Sequence, residues 1–320
     1  MSTVLAFPNL AVSAPLATGL EAAVGNTPIL PLRRIGAHLS PRVKLMAKAE
    51  WFNPGGSVKD RAALFILRRA QAEGQLPPGR HLLDSTSGNM GIAYATLCTS
   101  LDIPVTLTLP RNASEERVAI LRALGAELIL TDPLEGSDGA ASAAKKLAAE
   151  QPELYFYANQ YDNPASWWAH YYTTGPEIQQ QVGERVSHFI AGLGTSATLV
   201  GTGRYLKEAN QGLSVIAVQP DTAFHGLEGL KPIESSTIPG IFDPSIIDRN
   251  MQVSTETAYE MVQRLARQEG LFVGVSSGAA AAAALQIAEQ LQEGVVVTVF
   301  PDAGYKYLSS RGLWEGVQDA

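Results

Sequence analysis

The sequence predicts an α/β fold in which mostly parallel β-sheets are covered by helices. Short apolar runs alternate along the chain with segments whose apolar residues recur at helical spacing. This alternation is typical of repeated βαβ units, which bind ligands at the carboxyl ends of their strands. With 320 residues and 46% hydrophobic content, the chain can bury a large core. That length predicts two domains or one large α/β unit.

Seven apolar runs are predicted to be strands, and helices are predicted between them. The strands are His81–Ser85, Val105–Leu109, Glu127–Thr131, Tyr155–Ala158, His188–Gly192, Val215–Gln219 and Val295–Phe300. Three helices each stop before a glycine, where a left-handed residue commonly ends a helix: Arg61–Glu73 before Gly74, Glu115–Leu124 before Gly125, and Thr255–Glu269 before Gly270. The segment from Phe224 to Pro244 is rich in Gly, Pro and Ser and is predicted to be a long functional loop.

The charge balance argues against a nucleic-acid partner or an anionic membrane surface, because 31 acidic and 24 basic residues give a net charge of −7.

Cys98 is the only cysteine, which excludes an intramolecular disulfide and a cysteine-based metal site. No histidine pair has metal-ligand spacing, so no metal is expected. The longest low-polarity run, Gly278 to Ile287, is too short to span a bilayer. We expect a soluble cytoplasmic protein with an N-terminal arm over residues 1–22.

Lys59 is the first candidate for chemistry. The segment Asn53–Arg61 reads Asn-Pro-Gly-Gly-Ser-Val-Lys-Asp-Arg and carries this lysine from a glycine-rich turn to the start of an apolar helix. A lysine held in a partly dry pocket has a lowered pKa, so its neutral amine is available as a Schiff-base nucleophile. A solvated lysine at the start of a helix is the alternative, since most lysines are exposed.

Two further strand-to-helix junctions carry small polar residues. Gly194-Thr195-Ser196-Ala197-Thr198 follows an apolar run, and its backbone N–H groups can converge on an anion at the positive end of a helix, as in a phosphate site. The segment from Asp84 to Gly91 contains Thr86, Ser87, Gly88 and Asn89, whose donors suit a carboxylate. An ordinary loop or a helix N-cap is the alternative at each place.

A third junction, Val273–Gly278, opens an alanine-rich helix with Ser276 and Ser277, either of which could simply cap it. Taken together, these motifs resemble those of the cysteine synthase family, the fold-type-II pyridoxal-phosphate enzymes that include cystathionine β-synthase. The resemblance extends from about Val24 to Ser309. It implies a tryptophan synthase β-like fold, in which two parallel-sheet α/β domains hold the cofactor between them. The small, substrate-binding domain would comprise residues 47–158, and the large, cofactor-binding domain residues 23–46 and 159–320.

The same resemblance assigns roles to the individual residues. Lys59 would hold pyridoxal 5′-phosphate and act as the catalytic base, and Asn89 would contact the phenolic oxygen of the cofactor. Ser276 would face its pyridine nitrogen, where a neutral hydroxyl favours β-elimination and replacement. Its phosphate would bind Gly194, Thr195, Ser196, Ala197 and Thr198, and the substrate carboxylate would bind Thr86, Ser87, Gly88, Asn89 and Gln160.

Three positions depart from the family pattern. Ser196 and Ala197 replace two glycines of the family's Gly-Thr-Gly-Gly-Thr cup, so any positive φ there would be strained. Met90 replaces a threonine that is usual in the family, which leaves one hydrogen bond near the substrate in question. A catalytically weakened homologue with a regulatory role is therefore an alternative, although Lys59, Asn89 and Ser276 are all present.

The ending Asp302–Ser309 looks most like the CysM-type branch of the family, some of whose members use O-phosphoserine and a thiocarboxylated sulfur-carrier protein. The resemblance therefore implies a homodimeric cysteine synthase that replaces the acetate of O-acetylserine, or the phosphate of O-phosphoserine, with sulfur from sulfide or such a carrier. Lys231 or Arg204 could offer a cation to a phosphate leaving group. Cystathionine β-synthase activity and diaminopropionate formation are the enzyme alternatives.

Overall fold

The computed structural model describes residues 19–86, 88–183, 186–310 and 312–314. Most of the predicted N-terminal arm, residues 1–18, lies outside these ranges, as does Ser87. The strands are β1 (Ile29–Pro31), β2 (Val43–Ala49), β3 (His81–Ser85), β4 (Val105–Pro110), β5 (Glu127–Thr131), β6 (Tyr155–Tyr157), β7 (His188–Gly192), β8 (Ser214–Pro220), β9 (Arg249–Val253) and β10 (Gly294–Phe300). The α-helices are α1 (Lys59–Ala72), α2 (Asn89–Ser100), α3 (Glu115–Ala123), α4 (Gly136–Glu150), α5 (Ala165–Ala169), α6 (Gly175–Val182), α7 (Ala197–Ala209), α8 (Thr255–Arg264) and α9 (Val275–Ala288).

Two sheets organise these elements. The larger has six strands in the order β1-β2-β10-β7-β8-β9, and every pair is parallel except β1 with β2. The smaller has four strands in the order β5-β4-β3-β6, all parallel. The predicted α/β architecture with mostly parallel sheets is therefore confirmed. β2 continues to Ala49, three residues into the range 47–158 that the sequence assigns to the smaller domain.

All seven predicted strands are present, and the three predicted helices are confirmed to within about a turn. Gly74, Gly125 and Gly270 have φ of +68°, +80° and +71°, as expected of residues that end helices. α8 reaches Gly270 through a π-helical turn, Leu265–Glu269. Sequence analysis missed β1, β2 and β9. β1 has only three residues, β2 carries two lysines, and the edge strand β9 carries Arg249, Asn250 and Gln252, so none of the three reads as an apolar run.

Cys98 lies in α2, within the hydrophobic core that α1 and α2 form over the four-stranded sheet. Its side chain is fully buried, and burial raises the pKa of its thiol to about 12. Among the described residues, the structure contains no helix long and apolar enough to cross a membrane.

A buried cluster of charges joins the two sheets. Arg61 in α1 forms ion pairs with Glu50, just after β2, and with Glu177 in α6, over distances of 2.7 and 2.6 Å. Lys48 of β2 also pairs with Glu177, at 2.7 Å, and Thr27 donates its hydroxyl to Glu50 at 2.7 Å. Burial alone would raise the pKa of Glu50, but the adjacent Arg61 guanidinium outweighs it and lowers that pKa to about 2. Glu50 therefore stays ionised at neutral pH.

Replacing Arg61 with methionine should destabilise the fold strongly. The change leaves two buried carboxylates without their main partner, and breaking a buried ion pair from one side costs about 3–5 kcal/mol. The free energy of unfolding in urea measures this loss. Arg68→Met is the matched control on the same helix, because Arg68 is partly exposed and its pair with Glu21 is worth only about 0–1 kcal/mol. Equal losses in both variants would contradict the prediction.

Candidate active site

A cavity of about 350 Å³ lies where the carboxyl ends of strands from both sheets meet. Its walls come from the start of α1, the end of β3 with the start of α2, the carboxyl end of β4, helices α3 and α4, the loop after β7, and the segments before α5, between β8 and β9 and after β10. The lining residues are Lys59, Ser85, Thr86, Gly88, Asn89, Met90, Thr108, Pro110, Arg117, Ser137, Ala140, Gln160, Tyr161, Gly194, Thr195, Glu228, Gly229, Leu230, Lys231 and Tyr307. Chemistry-bearing side chains distant in sequence are therefore gathered in one enclosed space.

Lys59 is the first residue of α1 and reaches the cavity from a tightly folded turn. The carboxylate of Asp60 accepts hydrogen bonds from the backbone N–H groups of Gly55 at 2.6 Å and Ser57 at 3.1 Å, which fixes the turn. Burial lowers the pKa of Lys59, and the ammonium of Lys306 adds to this effect, whereas the carboxylate of Asp302 opposes it. The neutral amine needed for nucleophilic or base chemistry is therefore favoured.

Asp302 is fully buried near Lys59, whose pKa its carboxylate affects, but it is not among the residues that line the cavity. The segment after β10 forms antiparallel bridges to Ser57 and to Val273, which places this aspartate between the lysine turn and the start of α9. Its Oδ2 accepts hydrogen bonds from Asn89 Nδ2 at 2.7 Å and from the Tyr307 hydroxyl at 2.8 Å. Its Oδ1 is buried and has no hydrogen-bond partner among the described residues. Burial raises the pKa of Asp302.

These contacts orient the amide of Asn89. Lys306 Nζ donates to Asn89 Oδ1 at 2.8 Å, so the amide oxygen faces the ammonium and the amide nitrogen faces Asp302. From the sequence, the segment Asp302–Ser309 was noted only as typical of one branch of the family. The contacts of Asp302 and Lys306 with Asn89 could not be predicted, because Asn89 is more than 200 residues away in sequence.

The segment 194–198, for which the sequence predicts a phosphate cup, leads into the start of α7. A Cβ on Gly194 would overlap the carbonyl oxygen of Gly229, so only glycine fits there. Ser196 has φ of +67°, the left-handed conformation for which the family pattern uses glycine. The strain expected from that replacement is therefore present, while the backbone N–H groups at the start of the 13-residue helix α7 are retained.

His170 supports this cup from behind, a role that sequence analysis missed. Its Nε2 lies 3.3 Å from the hydroxyl oxygen of Thr198, and its Nδ1 lies 2.9 Å from that of Thr174. Burial lowers the pKa of His170 to about 3, so the ring is neutral at physiological pH and has one donor and one acceptor nitrogen. A ring that donates to Thr198 leaves the Thr198 hydroxyl hydrogen free to point at an anion.

Ser276 and Ser277 lie in the first turn of α9, close to Asp302 but outside the cavity lining. A Cβ on Gly274, the N-cap of α9, would overlap Asp302 Oδ1. The hydroxyl oxygen of Ser277 is buried and, like Asp302 Oδ1, has no hydrogen-bond partner among the described residues. The start of α9 therefore presents polar atoms that are not fully paired within the described chain.

The cavity gathers most of the predicted site residues, namely Lys59, Thr86, Gly88, Asn89, Gln160, Gly194 and Thr195. Ser196, Ala197, Thr198 and Ser276 do not line it but lie in or just before the first turns of the adjacent helices α7 and α9. Ser87 is outside the described residues.

Of the two cations suggested for a phosphate group, Lys231 lines the cavity, with its Nζ 4.5 Å from the centre of the Tyr161 ring. Arg204 is not among the lining residues: it pairs with Asp243 at 2.6 Å and stacks on Trp167.

Comparison with known proteins places this geometry in a family. Residues 20–302 match the family model described as pyridoxal-phosphate dependent enzyme. The chain is 50% identical to the cysteine synthase of Aquifex aeolicus over 292 residues, which cover 90% of this chain and 89% of that protein. The chain belongs to the cysteine synthase family of pyridoxal-phosphate enzymes.

Two other members of this cysteine synthase family show the extent of the similarity. Cysteine synthase B of Escherichia coli is 39% identical over 91% of this chain and 94% of its own length. The crystal structure of a cysteine synthase from Entamoeba histolytica superposes with a TM-score of 0.88 and 33% identity, covering 95% of this chain and 93% of that one. The resemblance and the fold type read from the sequence are therefore confirmed.

The residues of this family member fit pyridoxal phosphate. The cup at 194–198 offers backbone donors at a helix N-terminus for the phosphate, and the half-buried Lys59 lines the same cavity as Gly194 and Thr195. The unpartnered buried oxygens of Asp302 and Ser277 lie on the side where the resemblance places the pyridine ring. When bound, the cofactor supplies an electron sink for negative charge that develops on the substrate.

Two substitutions in the cup should differ in their effects on cofactor retention. Gly194→Ala should weaken retention of pyridoxal phosphate, because the added methyl group forces the cup away from Gly229. Ser196→Gly should leave cofactor retention intact and raise the free energy of unfolding by up to about 1 kcal/mol. The change relieves the strain of a side chain in the left-handed conformation, and the greater conformational entropy of glycine in the unfolded chain offsets part of this gain.

Absorbance of the retained cofactor after dialysis, together with urea unfolding, measures both effects. Gly212→Ala is the matched control, because Gly212 lies in an exposed turn with room for a methyl group and does not have a positive φ. Full retention in Gly194→Ala would refute the assignment of the cup.

Proposed function

We propose that the protein is a cysteine synthase, which replaces the β-substituent of an O-activated serine with sulfur to form L-cysteine. The observation that carries this proposal is the half-buried Lys59 side chain in one cavity with the Gly194-Thr195 cup and the Thr86–Asn89 junction. An amine of lowered pKa, an anion cup and a carboxylate-binding junction are the parts that β-replacement requires.

In this function, Lys59 moves the proton at the substrate Cα. Its neutral amine accepts the Cα proton as the β-substituent leaves, and the resulting ammonium can return a proton after sulfur adds at Cβ. Asp302 and Lys306 have opposite effects on the pKa of this base. The Asp302 carboxylate raises it by favouring the ammonium form of Lys59, and the Lys306 ammonium lowers it.

We propose that the substrate carboxylate binds Thr86, Ser87, Gly88, Asn89 and Gln160. Thr86 and Gly88 precede α2, whose N-terminal N–H groups favour an anion. Gln160 is held from the opposite wall, since its backbone N–H donates to the buried carboxylate of Asp84 at 3.3 Å. Met90 lines the cavity with an apolar side chain where the family pattern has threonine, so the neighbouring donors would carry the contact.

The proposal includes two candidate leaving groups and two candidate sulfur donors. Acetate and phosphate are both candidates, and Lys231 supports phosphate because it brings a cation to the cavity wall. The loop between β8 and β9 supports a protein donor, since it borders the cavity at Glu228–Lys231 and exposes Phe224. Free sulfide needs no such docking surface.

We further propose a two-domain homodimer in the cytoplasm. The four-stranded sheet lies within residues 47–158, and nearly all of the six-stranded sheet lies within 23–46 and 159–320. An aromatic cluster of Trp167, Tyr171 and Tyr172, with Tyr172 partly exposed, supports a contact between subunits. A single buried cysteine suits a reducing compartment.

Lys59→Ala should abolish cysteine formation while the fold remains intact, because alanine is well tolerated at a helix start. The assay supplies O-acetylserine and sulfide to the holoenzyme and measures cysteine. Mass spectrometry after borohydride reduction should find the cofactor attached to the Lys59 peptide of the wild type. Lys145→Ala on α4 is the control, since Lys145 is exposed and is not among the cavity-lining residues. Turnover at the wild-type rate in Lys59→Ala would refute the proposal.

The rate should rise with pH and reach its plateau well below pH 10.5, the ordinary value for a lysine. The reason is that burial lowers the pKa of Lys59, and the reactive neutral form is present above that pKa. A pH profile of kcat with O-acetylserine and sulfide measures this, because kcat reports the groups that ionise in the enzyme–substrate complex. A rate still rising steeply near pH 10.5 would contradict the lowered pKa.

A further inference from the structure

An ion pair crosses the exposed edge of the cavity and has no role in the steps above. Arg117, in α3 beside the four-stranded sheet, donates from both terminal nitrogens to Glu228, in the loop between β8 and β9. The second of these bonds, from Nη2 to Oε2, is 2.8 Å long. Both side chains line the cavity that contains Lys59. The pair therefore joins two walls of the cavity that contains the proposed catalytic lysine.

The two partners differ in how firmly they are held. The Arg117 side chain is 9% exposed, whereas that of Glu228 is 49% exposed. The backbone around Glu228 is fixed, because Leu227 and Leu230 are buried and Lys231 N–H donates to Leu193 O at 2.7 Å. Glu228 can therefore leave Arg117 by rotating its side chain into water, without movement of the loop.

Arg117, in contrast, cannot escape into solvent. A guanidinium is always ionised, and a buried charge is costly without an anion beside it. Its Cζ lies 5.6 Å from the centre of the Tyr307 ring, and its Nε has no hydrogen-bond partner among the described residues. Whatever displaces Glu228 must therefore offer Arg117 another anion, and the planar fork of arginine suits phosphate as well as carboxylate.

We propose that Arg117 recognises negative charge on the β-substituent of the substrate, and that Glu228 competes for the same position. The proposal rests on the proposed function and concerns which activated serine is preferred. A neutral acetyl group gives Arg117 no anion, so the pair stays closed with that substrate. A phosphate group must displace Glu228 and meets the repulsion of its carboxylate, which selects against phosphate in the wild type.

The decisive quantity is the ratio of kcat/KM for O-phosphoserine to kcat/KM for O-acetylserine, measured on the holoenzyme with sulfide. Glu228→Gln removes the competing charge and should raise this ratio by about tenfold or more, the worth of a charge-assisted hydrogen bond. Arg117→Lys keeps the charge but loses the bidentate fork, and should lower the ratio by about tenfold. Opposite shifts in the two variants would support the proposal.

Two matched variants serve as controls. Glu234→Gln removes an exposed carboxylate from the same loop, and Arg122→Lys changes an exposed arginine in the same helix as Arg117. Neither residue lines the cavity, so neither change should move the ratio. A ratio that is unchanged in Glu228→Gln, or that moves in the same direction in both test variants, would show that the pair only joins the two walls and would overturn the proposal.

A binding measurement separates this inference from the proposed function. Calorimetric titration of each holoenzyme with inorganic phosphate should show tighter binding in Glu228→Gln and weaker binding in Arg117→Lys than in the wild type. If the wild type turned over neither serine derivative, the proposed function would fail, yet the order of the phosphate affinities would still decide the role of the pair. Equal affinities in all variants would overturn the inference even in an active enzyme.

Discussion

The buried guanidinium of Arg61 is the constraint on which the geometry of the cavity depends. It lies in a helix that packs over the four-stranded sheet, while its partners Glu50 and Glu177 belong to the side of the six-stranded sheet. Because Arg61 is two residues after Lys59, the same contacts that join the two hydrophobic cores also set the position of the reactive amine. Buried ion pairs gain little net stability, so their value here lies in fixing one arrangement of the sheets.

Close backbone approach is the second determinant of the site. Gly194 contacts the carbonyl of Gly229, and Gly274 contacts the carboxylate of Asp302, with no space for a side chain at either place. These contacts bring the cup, the loop between β8 and β9, and the start of α9 to one point. The cup and the outer wall of the cavity are therefore mechanically linked, and Glu228 is presented from a segment that is itself held against the cup.

The sequence was sufficient to predict the fold class, the seven apolar strands and the junctions that carry Lys59, Asn89 and Gly194, because each of these depends on a local pattern. β2 was missed because the buried Lys48 pairs with a residue distant in sequence, Glu177, and no local pattern shows that a lysine there can be buried. Asp302, His170, Arg117 and Glu228 were not assigned roles for the same reason. Each acts through a residue more than 25 positions away, and no local spacing reports such a contact.

The single cysteine has a chemical consequence for an enzyme that handles sulfur. Thiol–disulfide exchange and persulfide formation both need an accessible thiolate. Cys98 is fully enclosed in the core around α2, and with a thiol pKa of about 12 it is almost entirely protonated at neutral pH. In the proposed reaction, neither the sulfide consumed nor the cysteine released can form a mixed disulfide with the folded chain. The catalyst is thus inert toward the redox chemistry of its own substrate and product.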